Sequence, residues 1–361
     1  MELDSRKLLR TFRPSRILLP ILIGLGTVTF LFVQNFDRQA FENIKWTWNS
    51  SFWIFMALMA MVVRDLAYML RIRALTDHEI GWWRSFIVIM LWEFCSSIVP
   101  TMLGSGYFFA IFILTREKIN TGRSITAITL SSFQDGVFLA LVAPFVYFVI
   151  GKEKLFSSLN LSTRIVEGGG SGFLVTFWTV YFIILAYKIF VAYGLFINPR
   201  FVKWALIKIF SLPLLNRWRH DARETGDQLI IASKGLKNKS RRFWIESFGG
   251  TFISWTARYS LVNCLVLAFT NAPAENFIIF GKQVVMGIII LFTPTPGGSG
   301  FAEFMFNKYL SEFIPFGLSA SLGLLWRLIS YYPYIFIGVI LLPKWIKQKF
   351  SKEEIAVGTG S

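Results

Sequence analysis

An acid, Glu303, closes the run Pro294-Thr295-Pro296-Gly297-Gly298-Ser299-Gly300-Phe301-Ala302-Glu303, which directly follows the apolar stretch FGKQVVMGIIILFT. Four more charged side chains, Glu93, Asp135, Arg258 and Arg327, lie in equally apolar surroundings. A charge in such a place is a functional candidate by default, because burying it in hydrocarbon is expensive. The forked guanidinium groups of Arg258 and Arg327 suit oxyanions. Glu93, Asp135 and Glu303 suit gating or proton coupling, and Arg327 and Asp135 are expected to pair across the chain. The plain structural alternative for Glu303 is stabilisation of a helix start. Arg64, Asp65, Lys188 and Lys282 read as side chains that snorkel to an interface. Nucleophilic catalysis does not fit. His78 and His220 lie in loops, and Cys95 and Cys264 sit in apolar runs with no base nearby in sequence. No HxxxH or CxxC pattern exists, so no metal and no cofactor is expected.

The frame for these groups is set by composition. Of 361 residues, 54% are hydrophobic and 16% charged, and apolar runs of about 20 residues alternate with charged loops, the length a helix needs to cross a bilayer. The chain reads as an all-α polytopic membrane protein. Its net charge of +16 fits Lys and Arg crowded into cytoplasmic loops against anionic lipid, not nucleic acid. The basic stretch MELDSRKLLRTFRPSR lacks an A-x-A site, so the first apolar run reads as an uncleaved span. Eight spans are expected: Ile17–Phe36, Trp48–Leu70, Ser85–Val99, Ser124–Ile150, Phe173–Ile197, Ser247–Phe269, Phe277–Thr293 and Leu318–Leu342. They divide into a first membrane repeat (1–150), an outer linker (151–172), a second repeat (173–342) and a cytoplasmic tail (343–361). The outer linker ends in the flexible GGGSG of Gly168–Gly172. In the basic cytoplasmic loop 198–246, FVKWALIKIF suits a helix in the inner interface. The polar remainder reads as a solvated linker.

Two spans are followed by a Pro/Gly break and a short apolar piece, Tyr107–Leu114 and Phe301–Leu310. Each piece covers about 12–15 Å, half a bilayer. Either each break is a kink in a crossing helix, or each segment is a re-entrant hairpin that returns to its own side. Charge favours hairpins. They place most of the 37 Lys and Arg in cytoplasmic parts and leave Arg38, Lys45, Lys152, Lys154, Arg164 and Lys308 outside. Kinks would turn the basic 198–246 loop outward.

The breaks are twins. Pro100-Thr101-x-x-Gly104-Ser105-Gly106-Tyr107 repeats as Pro294-Thr295-x-x-Gly298-Ser299-Gly300-Phe301, an offset of 194 residues that also carries Arg64 onto Arg258. The first break follows a span entering from the cytoplasm and the second a span entering from outside, so the halves are inverted. Inverted repeats with broken helices near the midplane point to a transporter site. Proline ends each helix and glycine leaves backbone N–H groups bare, which is tolerated at depth only where protein or a cavity surrounds them. The two short helices would aim their positive ends at the midplane, where an anionic group such as a phosphate fits.

The residues Thr293 to Glu303, TPTPGGSGFAE, resemble the signature of the membrane region of lysylphosphatidylglycerol synthases and their stand-alone flippase-like relatives. WRLISYYPYIFIG, Trp326 to Gly338, is similar to that family's closing span. Pro100, Gly104, the LTREKI stretch from Leu114 and Asp135 resemble its first half. The family often has Gly-Glu after the first break, where this chain has Gly104-Ser105. Bifunctional members continue into a soluble aminoacyl-transfer domain. With 19 residues after Leu342, this chain is expected to lack it and not to be an enzyme. The resemblance implies a flippase-like part that moves polar lipid between leaflets of the inner membrane; the helix ends favour an anionic or phosphate-bearing lipid, and the Lys/Arg distribution puts both termini in the cytoplasm. The alternatives are a membrane-embedded transferase acting on a lipid-linked substrate, which would need a DxD-like cluster of acids, and an accessory subunit. Membrane lipids are the expected partners, with room for a homo-oligomer and a separate lipid-modifying enzyme.

Overall fold

The computed structural model describes residues 46–98, 106–157, 169–212, 216–270, 275–291, 293–295, 297–315 and 317–358. Every regular element there is helical: α1 (Trp48–Leu75), α2 (Trp82–Ile98), α3 (Tyr107–Arg116), α4 (Thr121–Ile150), α5 (Lys152–Leu155), α6 (Gly169–Phe196), α7 (Pro199–Ile209), α8 (Arg219–Gly235), α9 (Arg241–Phe269), α10 (Asn276–Ile290), α11 (Phe301–Leu310), α12 (Ser319–Ser330) and α13 (Tyr332–Gly358). Polar caps start the long ones. The Asn120 side chain accepts from the Gly122 N–H ahead of α4, and the Ser240 hydroxyl from the Phe243 N–H ahead of α9.

Among the described residues, 5 helical stretches are long and apolar enough to cross a membrane. They are α1, α4, most of α6, α9 and Ser319–Lys349, which joins α12 to α13. The expected span Ile17–Phe36 lies outside the described residues. Two others of the expected eight, α2 with 17 residues and α10 with 15, are shorter than these five, about 25 and 23 Å long against a hydrocarbon core of about 30 Å. The last span bends at Tyr331, whose φ is −130° and ψ −57°. Pro333 is the cause, because it offers no N–H to the turn before it and its ring crowds that turn.

α1 and α9 are packed antiparallel along their length. The Asn49 amide donates to the Leu267 carbonyl near one end, and at the other Arg71 donates to Thr251 and His78 bonds Glu246. The approach is close at Gly250, where a Cβ would lie 2.9 Å from the Ala67 carbonyl oxygen. A small residue at such a crossing lets two backbones meet without a hydrophobic driving force.

Each short helix folds back along the helix before it. Gly106, at the start of α3, lies against Ser96 near the end of α2. At the far end of α3, Arg84 of α2 donates to the Glu117 carbonyl at 3.1 Å. In the second half, Gly298 lies against Ile290 near the end of α10. At the far end of that pair Lys282 of α10 reaches the Tyr309 carbonyl and Glu312. Both are antiparallel helical hairpins with one long and one short leg.

Two expectations are corrected. The polar half of the 198–246 loop is not a solvated linker. It forms α8, whose Ala222, Leu229 and Ala232 are buried, and which docks through Gly235 onto Thr126 of α4. Periodic apolar residues in a basic stretch gave it a face to bury. Gly169 to Gly172 are not a free linker either, since α6 begins at Gly169.

Gly338 of α13 presses on Phe94 of α2 so closely that a Cβ would overlap the ring. Gly338→Ala is therefore expected to destabilise the protein by about 1–3 kcal/mol through overpacking, read as a lower unfolding temperature in detergent. An unchanged temperature would show that α2 and α13 can separate freely.

Candidate functional site

Charges that were expected to reach for the interfaces are instead buried between helices. Arg64 of α1 is 1% exposed. It pairs with its neighbour Asp65 at 2.9 Å and with Glu93 of α2. The rings of Tyr68 and Tyr334 flank its guanidinium at 4.8 and 4.9 Å, and the Tyr334 hydroxyl donates to both oxygens of Asp65. A buried guanidinium needs such a shell, because an unpaired charge in low dielectric is costly. The snorkelling expected of Arg64 and Asp65 is therefore corrected. Lys282 is fully buried and pairs with Glu312. Lys188 lies against Gly136 and donates to the Ser132 carbonyl at 2.8 Å. Neither reaches for an interface as expected.

A second group joins α1, α4 and α9. Arg71 pairs with Asp135 of α4, whose carboxylate also accepts from the Trp255 indole at 2.7 Å. A third group sits on the second hairpin. Glu303 and Arg327 face each other at 2.8 Å, with 2% and 6% of their side chains exposed. The Glu303 carboxylate also accepts from the Gly300 N–H at 2.7 Å, an acid on the third residue of a helix reaching back to its start. Arg327 and Asp135 thus do not pair with each other. Each finds a nearer partner of opposite charge.

Gly106 and Gly300 stand at equivalent places, one residue ahead of α3 and α11, with φ of 73° and 86°. That left-handed region favours glycine and sets the sharp return of both hairpins. Pro294, Thr295, Gly297, Gly298 and Ser299 form the second turn, and Ser299 is fully buried. Pro100, Thr101, Gly104, Ser105 and Pro296 lie outside the described residues.

The two hairpins meet at one hydroxyl. Tyr331 donates to the Ser97 carbonyl on the last turn of α2 at 3.2 Å, and its oxygen lies 3.2 Å from the Ser299 hydroxyl. Ser97 in turn donates to the Glu93 carbonyl at 2.8 Å. The end of one hairpin's long leg, the turn of the other, and the bend of the last span therefore share a hydrogen-bonded junction.

Arg258 differs from the other arginines of this region. It is half-buried, and its guanidinium lies 5.4 Å from the Trp255 ring centre. It is close enough to Glu93 and Tyr68 to interact through charge. Among the described residues it makes no ion pair and no hydrogen bond.

Sequence reasoning missed Arg71, Trp255, Tyr331 and Tyr334. Hydropathy ends the span at Leu70, one residue short of Arg71, whereas α1 continues to Leu75. The three aromatic residues carried no signal that sets them apart from the many rings of the apolar runs.

The chain matches the family model described as lysylphosphatidylglycerol synthase TM region over residues 17–338. A curated protein of Archaeoglobus fulgidus called a UPF0104 membrane protein is 22% identical over 354 residues, covering 93% of this chain and 99% of its own length. No solved structure matches. A match of that extent, with the broken helices and buried charges inside it, places this membrane protein in the family of the lysylphosphatidylglycerol synthase TM region.

Proposed function

We propose that the protein is a lipid translocase, moving a polar lipid with an anionic or phosphate-bearing headgroup between leaflets of the cell membrane. One observation carries the reading. Among the described residues Arg258, a guanidinium inside a candidate spanning helix, has no ion-pair partner, while Arg64, Arg71 and Arg327 are each paired. A permanently charged group kept unpaired at that depth has a use in receiving an anion.

Further features support it. The antiparallel α1–α9 pair is what an inverted repeat requires of equivalent helices, and the two hairpins suit re-entrant segments from opposite faces. Within the second turn Gly298 and Ser299 are buried in protein, the setting in which irregular backbone is tolerated in a membrane. In this reading Arg258 and Arg327 meet the phosphate, while Glu93, Asp135 and Glu303 act in gating or proton coupling. Both termini are cytoplasmic. A homo-oligomer and a separate lipid-modifying enzyme fit as partners.

The test is lipid movement in liposomes holding the purified protein and fluorescent anionic or zwitterionic phospholipids, with dithionite added outside. Bleaching is expected to run beyond the outer-leaflet half, faster with the anionic lipid. Bleaching that stops at half, with a proton gradient imposed and with each headgroup tried, would overturn the reading and favour a transferase or accessory role.

A further inference from the structure

Each hairpin is fastened at its open end by an acid. At the end of α3, Glu117 is 1% exposed. Its carboxylate accepts from the Trp345 indole at 2.7 Å and pairs with Lys349 at 2.9 Å. Both partners belong to α13, the terminal helix of the other half. Its backbone carbonyl is held by Arg84, at the start of the same hairpin's long leg. After α11, Glu312 pairs with Lys282, from the long leg of its own hairpin, and accepts from the Ser157 hydroxyl at 2.9 and 3.0 Å. Next to it the Tyr309 hydroxyl donates to the Leu155 carbonyl. Leu155 closes the short helix α5 just beyond α4, the terminal helix of the first half, and Ser157 follows it. The 194-residue offset of the halves carries Leu155 onto Lys349 and Glu117 to within one residue of Glu312. At each place an acid after a short helix thus bonds to residues at or beyond the end of the other half, Trp345 and Lys349 in one case and Ser157 in the other.

The fastenings lie at opposite ends of the molecule. Glu117 precedes α4 and Ser157 follows it, and α4 has 30 residues, about 45 Å. Between them lies the junction of Ser97, Tyr331 and Ser299. Glu117 ties its hairpin to α13 through a charged bond to Lys349, and Glu312, charge-paired within its own hairpin, ties it to the first half through the Ser157 hydroxyl, so releasing either acid frees its hairpin on its own face. Neither is a fully satisfied core pair. Glu117 keeps one buried oxygen, Oε2, without a hydrogen-bond partner, and Glu312 is one-third exposed. Partly satisfied buried networks are where a structure gives way first.

We propose that Glu117 and Glu312 pin two gates, one on each face, and that releasing one pin opens the junction between the hairpins to its own face. The proposal rests on the translocase reading for what passes through, but its test needs no lipid to move. Ser299→Cys, in a background with Cys95→Ser and Cys264→Ser, reports access to the junction. Asn120→Cys and Ser311→Cys, beside the two pins, mark which face an impermeant maleimide reaches in sealed vesicles. Glu117→Gln is expected to speed labelling of the junction by about tenfold or more from the Asn120 face only, since a few kcal/mol separates such states. Glu312→Gln should do the same from the Ser311 face only. Lys349→Met keeps Glu117 and its bond to Trp345, and provides a milder variant should Glu117→Gln fold poorly.

Labelling unchanged in both pins, or raised equally from both faces, would overturn the gates, as would Asn120 and Ser311 labelling from one face. Face-specific labelling with no lipid movement would leave the gates standing and remove the translocase reading. Lipid movement with labelling unaffected would do the reverse.

Discussion

Arg327→Gln is expected to destabilise the protein by about 3–5 kcal/mol, because it leaves the Glu303 carboxylate charged and buried without its partner. Glu303 is 2% exposed and its one remaining hydrogen bond is to the Gly300 N–H. Glu303→Gln should cost a comparable amount, since Arg327 would then lose its counter-ion. The double variant Glu303→Gln/Arg327→Gln should recover most of that loss, two neutral amides being far less costly to bury than one unpaired charge. Thermal unfolding in detergent reads this directly. Lipid movement should be absent in all three variants, so stability and transport part company in the double variant. A single variant within about 0.5 kcal/mol of the parent, the range of an unimportant surface change, would show that the pair is solvated and is no part of a buried site.

That pair also shows how far the sequence could be read. Glu303 stood out because an acid one turn beyond a Pro/Gly break inside apolar sequence has few explanations. Its place as the third residue of α11 follows from the same break. The short pieces were legible for the same reason, and Phe301–Leu310 emerges with the expected bounds. Its partner was not legible. Arg327 lies 24 residues on, and nothing in helical periodicity distinguishes pairing with Glu303 from pairing with Asp135. The difference depends on how α12 packs on α11, a tertiary fact. Arg64 and Lys282 were misjudged for a related reason. A long cationic side chain near the middle of a span can snorkel or find an acid, and the choice depends on whether Glu93 or Glu312 faces it from another helix. Hydropathy measures the cost of burying a charge but not the presence of its partner. The polar α8 was misread because its composition is that of a loop. Its buried apolar residues, Ala222, Leu229 and Ala232, carry the docking.

The equivalence of Arg64 and Arg258 across the repeat gains physical meaning from their different fates. Both stand on the antiparallel α1–α9 pair, yet Arg64 is enclosed by Asp65, Glu93 and two tyrosine rings, while Arg258 lies by the Trp255 ring and makes no ion pair or hydrogen bond among the described residues. In the proposed translocase a headgroup would need only one of these two repeat-related positions vacant. There the first arginine would fix Glu93, and the second would be left for the ligand.

Arg258→Gln is therefore expected to remove function while sparing the fold. No ion pair or hydrogen bond to a described residue is lost, so the unfolding temperature should stay near that of the parent. The rate of anionic lipid movement should fall roughly 10- to 150-fold, the equivalent of a charge-assisted hydrogen bond of about 1.5–3 kcal/mol. Arg258→Lys keeps the charge but loses the fork that holds two phosphate oxygens at once, and should retain part of the rate. Arg64→Gln provides the contrast. It strips Glu93 and Asp65 of their counter-ion and should lower stability and transport together. If Arg258→Gln moved anionic lipid at the parental rate, the unpaired guanidinium would have no part in binding and the headgroup site would have to be sought elsewhere. If it unfolded as readily as Arg64→Gln, Arg258 would be a structural residue, and the difference between the two arginines would carry no functional meaning.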